Sequence, residues 1–505
     1  MTQDNRTIIA EPILASPRVA AALLVAAIIL GTAAAVFYAH AHLTLSHYDA
    51  RAHLVVARRV TDSLTPGWRQ IGAVWLPLPH VIGILPLQSD WAYRTGYPMV
   101  AVSILSLALG LALAGTYLAR VTRSRAAALV GPAVILANPN VLYLQSTPMT
   151  EPLLIGLSLA ALAAVDAWCR QSTPDRRRVA GGVLFLLTLT RYEGWCIAMT
   201  LVALAALVRW RAREPGVFAL APYVVSAVVL FVALSRASTG EWFVSSGFFV
   251  PDNPALSHPL EALRQVVASL ADLSSHTLLM VAAVGVLLVL AAAARSVTAL
   301  LPLSLLSAGA LPLFAFVQGH PLRVRYMVPL VAASGIMAAF AVASVPRRAR
   351  GVAAAVLLVV TCLERSPIDS HAPMVTEAQW ETPFRLGRQE VTRYLAGVYD
   401  GTPILASMGS LGHYMQEASG GGLNIRNFVH EGNGDLWQAA TRAPRRYVNW
   451  VLIEERAEGG DMLAARAHED ANFLDGFTRA ASGGGLVLYR KILDVSDAKL
   501  EPDEK

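Results

Sequence analysis

Charge is what this sequence has least of. Only 15% of its 505 residues are Asp, Glu, Lys or Arg, against about a quarter in an ordinary soluble chain. With 55% hydrophobic residues and a mean hydropathy of +0.49, the composition excludes a water-soluble globule and predicts an α-helical polytopic membrane protein. Cysteine is scarce too. Cys169, Cys196 and Cys362 lie in or beside apolar runs without CxxC spacing, so neither a disulfide framework nor a cysteine zinc site is indicated. A GxGxxG after a strand is missing, and with it the dinucleotide fingerprint. The net charge of +6 comes from arginines in short groups between apolar runs, the pattern of membrane topology signals, and nucleic acid is not an expected partner.

Apolar runs are what the chain has most of. After the polar stretch MTQDNRTIIAEPILASPR, residues Val19 to Ala39 are long enough to span a bilayer and end in no small-residue cleavage site, so a retained helix is expected. Arginine groups at 120/123/125, 170/176–178, 209/211/213, 295 and 347/348/350 each close an apolar run, and the positive-inside rule puts all five in the cytoplasm. About eleven transmembrane helices follow, near 19–39, 96–119, 126–142, 152–169, 179–190, 194–210, 216–235, 277–294, 299–317, 326–344 and 351–364. The run Ala73 to Leu87, broken by Pro77, Pro79 and Pro86, is excluded as an interfacial or re-entrant segment.

This count sends the loops 40–93, 139–151, 191–193, 236–275 and 318–325 to the outer face. They carry the ionisable residues that are most expensive near lipid, which makes those residues functional candidates. Two domains are expected: a transmembrane catalytic unit over 1–365, with its outer-face loop 40–93, and an extracytoplasmic α/β domain over 366–505. In the latter, strands at 403–409, 423–429, 447–455 and 485–491 alternate with helices around 386–398, 435–442 and 461–468, and the glycine runs 420–422 and 483–485 read as turns.

In SHYDARAHL a helical reading sets Asp49 and His53 four apart on one face, where they would share a substrate or a metal. A carboxylate there suits a general base acting on a hydroxyl. Asp49 equally suits a surface ion pair with Arg51 or Arg58. His40, His42, His47, His53 and His80, five of twelve histidines, crowd this loop. They lack the pairing of an HExxH site, so no metal ligand is assigned and a divalent metal ion stays an open alternative. Glu151 precedes the Pro that opens a span, with Thr150 a candidate cap. RYEGW sets Arg191 and Glu193 at a junction of spans. HPLRVRYMVP brings His320, Arg323, Arg325 and Tyr326 to the start of a helix, where an arginine fork suits a phosphate.

Taken in order, these features resemble the GT-C membrane glycosyltransferases, in particular the branch of protein O-mannosyltransferases and aminoarabinose transferases. The likeness rests on an early loop Asp, the Pro-rich VWLPLPHVIG, the acid in TEPLL, the LTRYEGW turn and the Arg-Tyr of RVRYMVP, and covers residues 19–364. It implies a bacterial plasma-membrane enzyme that moves a sugar from a polyprenyl-phosphate donor to an extracytoplasmic glycan, lipid or protein acceptor with inversion. Asp49 would be the base and Glu151 would orient a substrate. Arg325, with Arg323, His320 and Tyr326, would hold the phosphate, and Arg51, His53, His80, Arg191 and Glu193 would line the substrate. Two other readings stand beside it: a transporter or flippase of lipid-linked sugars, and a non-catalytic envelope assembly protein. Against the transporter, no pair of similarly interrupted spans recurs in the two halves of the chain.

Overall fold

The computed structural model describes residues 17–243, 253–408, 412–456 and 460–492. The polar N-terminal stretch, the centre of the 236–275 loop, the end of the first expected strand and the last residues of the 366–505 segment lie outside them.

Among the described residues, eight helices are long and apolar enough to cross a membrane: Val19–His40, Tyr97–Thr122, Glu151–Arg170, Tyr192–Arg211, Ala221–Thr239, His276–Ala293, Val297–Val317 and Val324–Ser344. The other three of the expected eleven runs are bent or shorter than a full crossing. The run 126–142 is a pair of helices, Arg125–Leu136 and Pro139–Gln145, bent by 68°. The break sits at Asn138, whose side chain caps the second helix by accepting from the N–H groups of Asn140 and Val141 at 3.0 and 3.2 Å, with Pro139 opening it. Pro174–Thr188 and Arg350–Glu364 have 15 residues each. At about 1.5 Å per residue they reach about 22 Å, short of a hydrocarbon core of about 30 Å. The Pro-broken run 73–87 forms no span, as expected; its α-helix, Leu78–Gly83, has 6 residues.

Small residues set a close crossing. Helices Tyr97–Thr122 and Glu151–Arg170 meet at Gly110 and Gly156, and a methyl on Gly110 would stand 2.5 Å from the Gly156 Cα. Close backbone approach of this kind is how helices gain contact where no hydrophobic drive separates them from lipid. At the far end of the same pair, Arg120 and Arg170 converge on the buried Asp166 at 2.7 and 3.0 Å. Two of the arginine groups thus share one end of the bundle, opposite the end where Glu151 opens its helix.

The C-terminal segment holds a five-stranded mixed sheet of order β2-β1-β3-β5-β4: β1 Ile404–Ala406, β2 Phe428–Val429, β3 Trp450–Glu454, β4 Phe477–Gly483 and β5 Leu486–Lys491. β1 pairs parallel with β2 and β3, while β5 runs antiparallel to β3 and β4. Helices Thr382–Val398, Asp435–Arg442 and Met462–Glu469 fall where periodicity put them. β4 has no counterpart among the expected strands, because FTRAASG is half-exposed and lacks alternating apolar residues. Gly484 and Gly485, both at positive φ (+58° and +83°), turn β4 into β5 in the primed geometry that suits a two-residue hairpin.

One core joins this sheet to the first loop. Leu54, Val55 and Ala57 of helix Tyr48–Arg58, with Leu87, Ala92 and Tyr93, pack with Ile404, Tyr414, Phe428, Trp450 and Leu488. The helix YDARAHLVVAR is buried along its whole length despite its polar residues. It lies between the bundle and the C-terminal segment, so each charged side chain must find a partner. Arg58 shows how: it donates to Asp62 at 3.1 Å, to Asp90 at 2.6 Å and to the carbonyls of Leu87 and Gln88 at 3.0 Å.

Candidate active site

His47 starts the site. Its backbone is extended (φ −68°, ψ 128°) and its Nδ1 accepts the Asp49 N–H at 3.1 Å, capping helix Tyr48–Arg58. Asp49 therefore stands in the first turn, where the helix dipole favours a negative charge. Its carboxylate pairs with Arg325 at the entry of the span Val324–Ser344, and Arg325 Nη1 also stands 3.2 Å from His47 Nε2. Burial alone would raise the Asp49 carboxyl. The guanidinium of Arg325, with His47 and Arg323, outweighs burial and holds the carboxyl below its ordinary value.

A second cluster adjoins the first. Arg191 lies 3.0 Å from Glu151 and 2.8 Å from Glu193, and donates to the Thr150 hydroxyl at 2.9 Å. Thr150 thus serves Arg191 rather than capping its own helix. Burial disfavours the Arg191 charge, but Glu151 and Glu193 overcome that and raise its pKa. Arg325 stands within electrostatic reach of both Glu151 and Arg191. The structure thereby gathers Asp49, Glu151, Arg191, Glu193 and Arg325, from four separate loops, into one buried chain of charges.

Other sequence candidates stand elsewhere. Arg51 turns away from Asp49 to pair with Glu417 of the C-terminal segment, so it does not line this cluster. His53 does not share a ligand with Asp49: its Nδ1 lies 2.9 Å from His80 Nε2, while His80 Nδ1 lies 3.2 Å from the Leu76 carbonyl, and Trp75 packs on both rings. Since Nδ1 of His80 must donate to that carbonyl, its Nε2 accepts and His53 donates. Burial, then His80 and Arg191, lowers the His53 pKa well below normal; burial and Arg59 bring His80 to about 3. Both imidazoles are neutral at pH 7. His320 binds its own segment, Nδ1 2.9 Å from the Pro321 carbonyl, with its ring 5.6 Å from that of Tyr326. Tyr326 in turn lies under the Arg325 guanidinium at 5.5 Å. Arg323 is half-buried and acts on Asp49 through its charge.

Sequence reasoning missed Glu377. It ends the short helix Pro373–Glu377, and its Oε1 lies 3.6 Å from His47 Nε2. Burial would raise its carboxyl, and His47, Arg325 and Arg323 bring it below normal instead. No local signal marks it, since PMVTE reads as a plain helical turn. Several polar atoms of the cluster keep hydrogen-bonding capacity: among the described residues, the Arg325 Nε–H, both Glu151 oxygens and Glu377 Oε1 are buried and make no hydrogen bond.

No protein-family model matches this chain, and no curated protein sequence does. Solved structures do. ArnT from Cupriavidus metallidurans bound to undecaprenyl phosphate superposes with a TM-score of 0.57 at 14% identity, covering 92% of this chain and 97% of that one. The same protein in the apo state gives 0.55 and 14%, covering 94% and 98%. The membrane bundle and the C-terminal sheet together therefore share the fold of those structures.

Proposed function

We propose that this chain, built on the ArnT fold, is an integral membrane glycosyltransferase that moves a sugar from a polyprenyl-phosphate donor to an acceptor hydroxyl by inverting displacement. The observation that carries the reading is the buried Asp49–Arg325 pair, with unspent donors and acceptors around it. Buried ion pairs add little to stability over apolar packing, so a cluster of five charges with unfilled hydrogen bonds is better explained by a ligand.

Arg325 is the group suited to the donor phosphate. Its Nε–H makes no hydrogen bond and, with the adjacent Nη2, presents a fork that matches two phosphate oxygens, while Nη1 stays on Asp49. A phosphate on that fork offsets the cation that holds Asp49 ionised, and the basicity of Asp49 rises where a base is needed. The acceptor hydroxyl oxygen then bonds to the anomeric carbon, the bond from that carbon to the phosphate oxygen breaks, and the hydroxyl proton passes to Asp49. Charge gathering on the departing phosphate is met by Arg325 and Arg323 in a site closed to bulk water, where fixed cations act strongly. Glu151, held by Arg191 through Oε1, orients sugar or acceptor hydroxyls through Oε2.

Orientation follows from the arginine groups: the site and the C-terminal segment face outward from a bacterial plasma membrane. Reporters fused after Arg213 and after Ser407 are expected to read cytoplasm and exterior respectively. The direct experiment is reconstitution in vesicles with a labelled polyprenyl-phosphate sugar and an envelope extract as acceptor source. Thin-layer separation should show the label leaving the lipid. Intact labelled lipid crossing the bilayer uncleaved would replace the transferase by a transporter.

A further inference from the structure

Away from the charge chain, three side chains from separate elements of the C-terminal segment converge. Glu381 immediately precedes helix Thr382–Val398, His413 opens helix His413–Ala418 and Glu454 ends β3. His413 Nε2 lies 3.5 Å from Glu381 Oε2 and 3.5 Å from Glu454 Oε1. One nitrogen and two carboxylate oxygens fall within 4.8 Å of one another, and among the described residues these are the His, Cys, Asp or Glu side chains with metal-binding spacing.

We infer that Glu381, His413 and Glu454 form a binding site for a structural divalent cation, with Zn²⁺ the best fit. Spacing is the first ground. A charge-assisted N–H···O bond closes to about 2.7–2.9 Å, and the imidazole stands too far from both carboxylates for that. Ligands about 2.0–2.1 Å from a tetrahedral Zn²⁺ are separated from one another by about 3.4 Å. Both measured edges match that value. The second ground is independent of spacing: Glu454 is 4% exposed, and its Oε2 makes no hydrogen bond. A buried carboxylate oxygen without a partner is costly unless a cation meets it. Chemistry is the third, since one imidazole and two carboxylates suit Zn²⁺, and a fourth position is left for water.

Arg388 is the competitor to be weighed. It reaches Glu381 Oε2 at 3.3 Å, but its shorter contact is to Glu417 at 3.1 Å, and Glu417 also holds Arg51. The two guanidiniums are thus centred on Glu417, which leaves Glu381 weakly held and Glu454 reached by Arg388 only through its charge at longer range. A bound ion would tie the helix that follows Glu377, the helix packed on Tyr48–Arg58 and the central strand into one unit. This inference does not depend on the transferase reading.

The test uses the purified full-length chain, loaded with Zn²⁺, dialysed against metal-free buffer and assayed by elemental mass spectrometry. One zinc per chain is expected, with at least a tenfold lower occupancy in His413→Ala and Glu454→Gln and a fall in Tm of the wild-type chain on chelation. In Co²⁺-loaded wild-type protein, absorption bands of a tetrahedral site are expected, which needs no variant to fold. A wild-type chain that retains no zinc and shows no cobalt bands, or folded variants that retain zinc as the wild type does, would overturn the site.

Discussion

Asp49→Asn separates chemistry from architecture in this protein. Asn keeps the shape of Asp and an oxygen to face Arg325, but it loses the charge that pairs with the guanidinium and the lone pair basic enough to take a proton. Removing one partner of a buried pair costs about 3–5 kcal/mol when the other is left alone. Arg325 is not left alone, since His47 Nε2 stands 3.2 Å from it and Glu151 lies within electrostatic reach. The stability loss should accordingly fall below about 3 kcal/mol. Loss of a general base lowers a rate by about 10²–10⁴-fold, equivalent to about 3–5 kcal/mol of barrier. The assay pairs transfer from a labelled polyprenyl-phosphate sugar with Tm and size-exclusion profiles in detergent. A folded, monodisperse Asp49→Asn chain should bind donor lipid and transfer at least about 100-fold more slowly. If that folded variant transfers sugar near the wild-type rate, Asp49 is not the base and the mechanism fails. Because the Asp49 pKa lies below the ordinary value, the unliganded chain should keep this carboxylate ionised to a pH below that of a free Asp, about 3.9.

Arg191→Met leaves Glu151 and Glu193 buried without their cation and should cost about 3–5 kcal/mol, read as a fall in Tm; adding Glu193→Gln should recover part of it. Gly156→Ala should destabilise the bundle, since its methyl would meet the Ser106 carbonyl, whereas Gly182→Ala, with open space around its Cβ, should raise helix stability by up to about 1 kcal/mol; thermal melts of the two distinguish packing from propensity. His80 in the folded chain stays unprotonated until about pH 3, while the unfolded chain takes up that proton near pH 6.5. The unfolded state then binds more protons between those values, so stability should fall as pH drops through that window by about 1.4 kcal/mol per unit from this residue; His80→Gln should flatten the slope of Tm against pH.

Much of the architecture was legible because it follows from local periodicity. The membrane class, most of the spans, the exclusion of the Pro-broken run and the alternation of strands and helices after residue 366 all rest on patterns a few residues long. What those patterns did not register has the same origin. Asn138 and Pro139 lie inside an apolar run, and hydropathy does not register a capped break. β4 was invisible because a half-exposed strand of small and polar residues carries no alternation to detect.

Candidate residues were legible for a different reason: ionised groups beside lipid are costly, so Asp49, Glu151, Arg191, Glu193 and Arg325 attract notice wherever they occur. Which of them meet is another matter. Proximity along the chain pointed Asp49 toward His53, Arg51 and Arg58, yet it is paired with Arg325; Arg51 went to Glu417 and His53 to His80. Glu377 carried no signal at all until folding brought it to His47. The sequence by itself determined which segments enter lipid and which charges must be compensated, because both depend on transfer free energies of the residues themselves. Only the tertiary structure decided the partner of each charge, because Coulomb attraction is settled by distances of a few ångströms, and those are set by how distant helices pack.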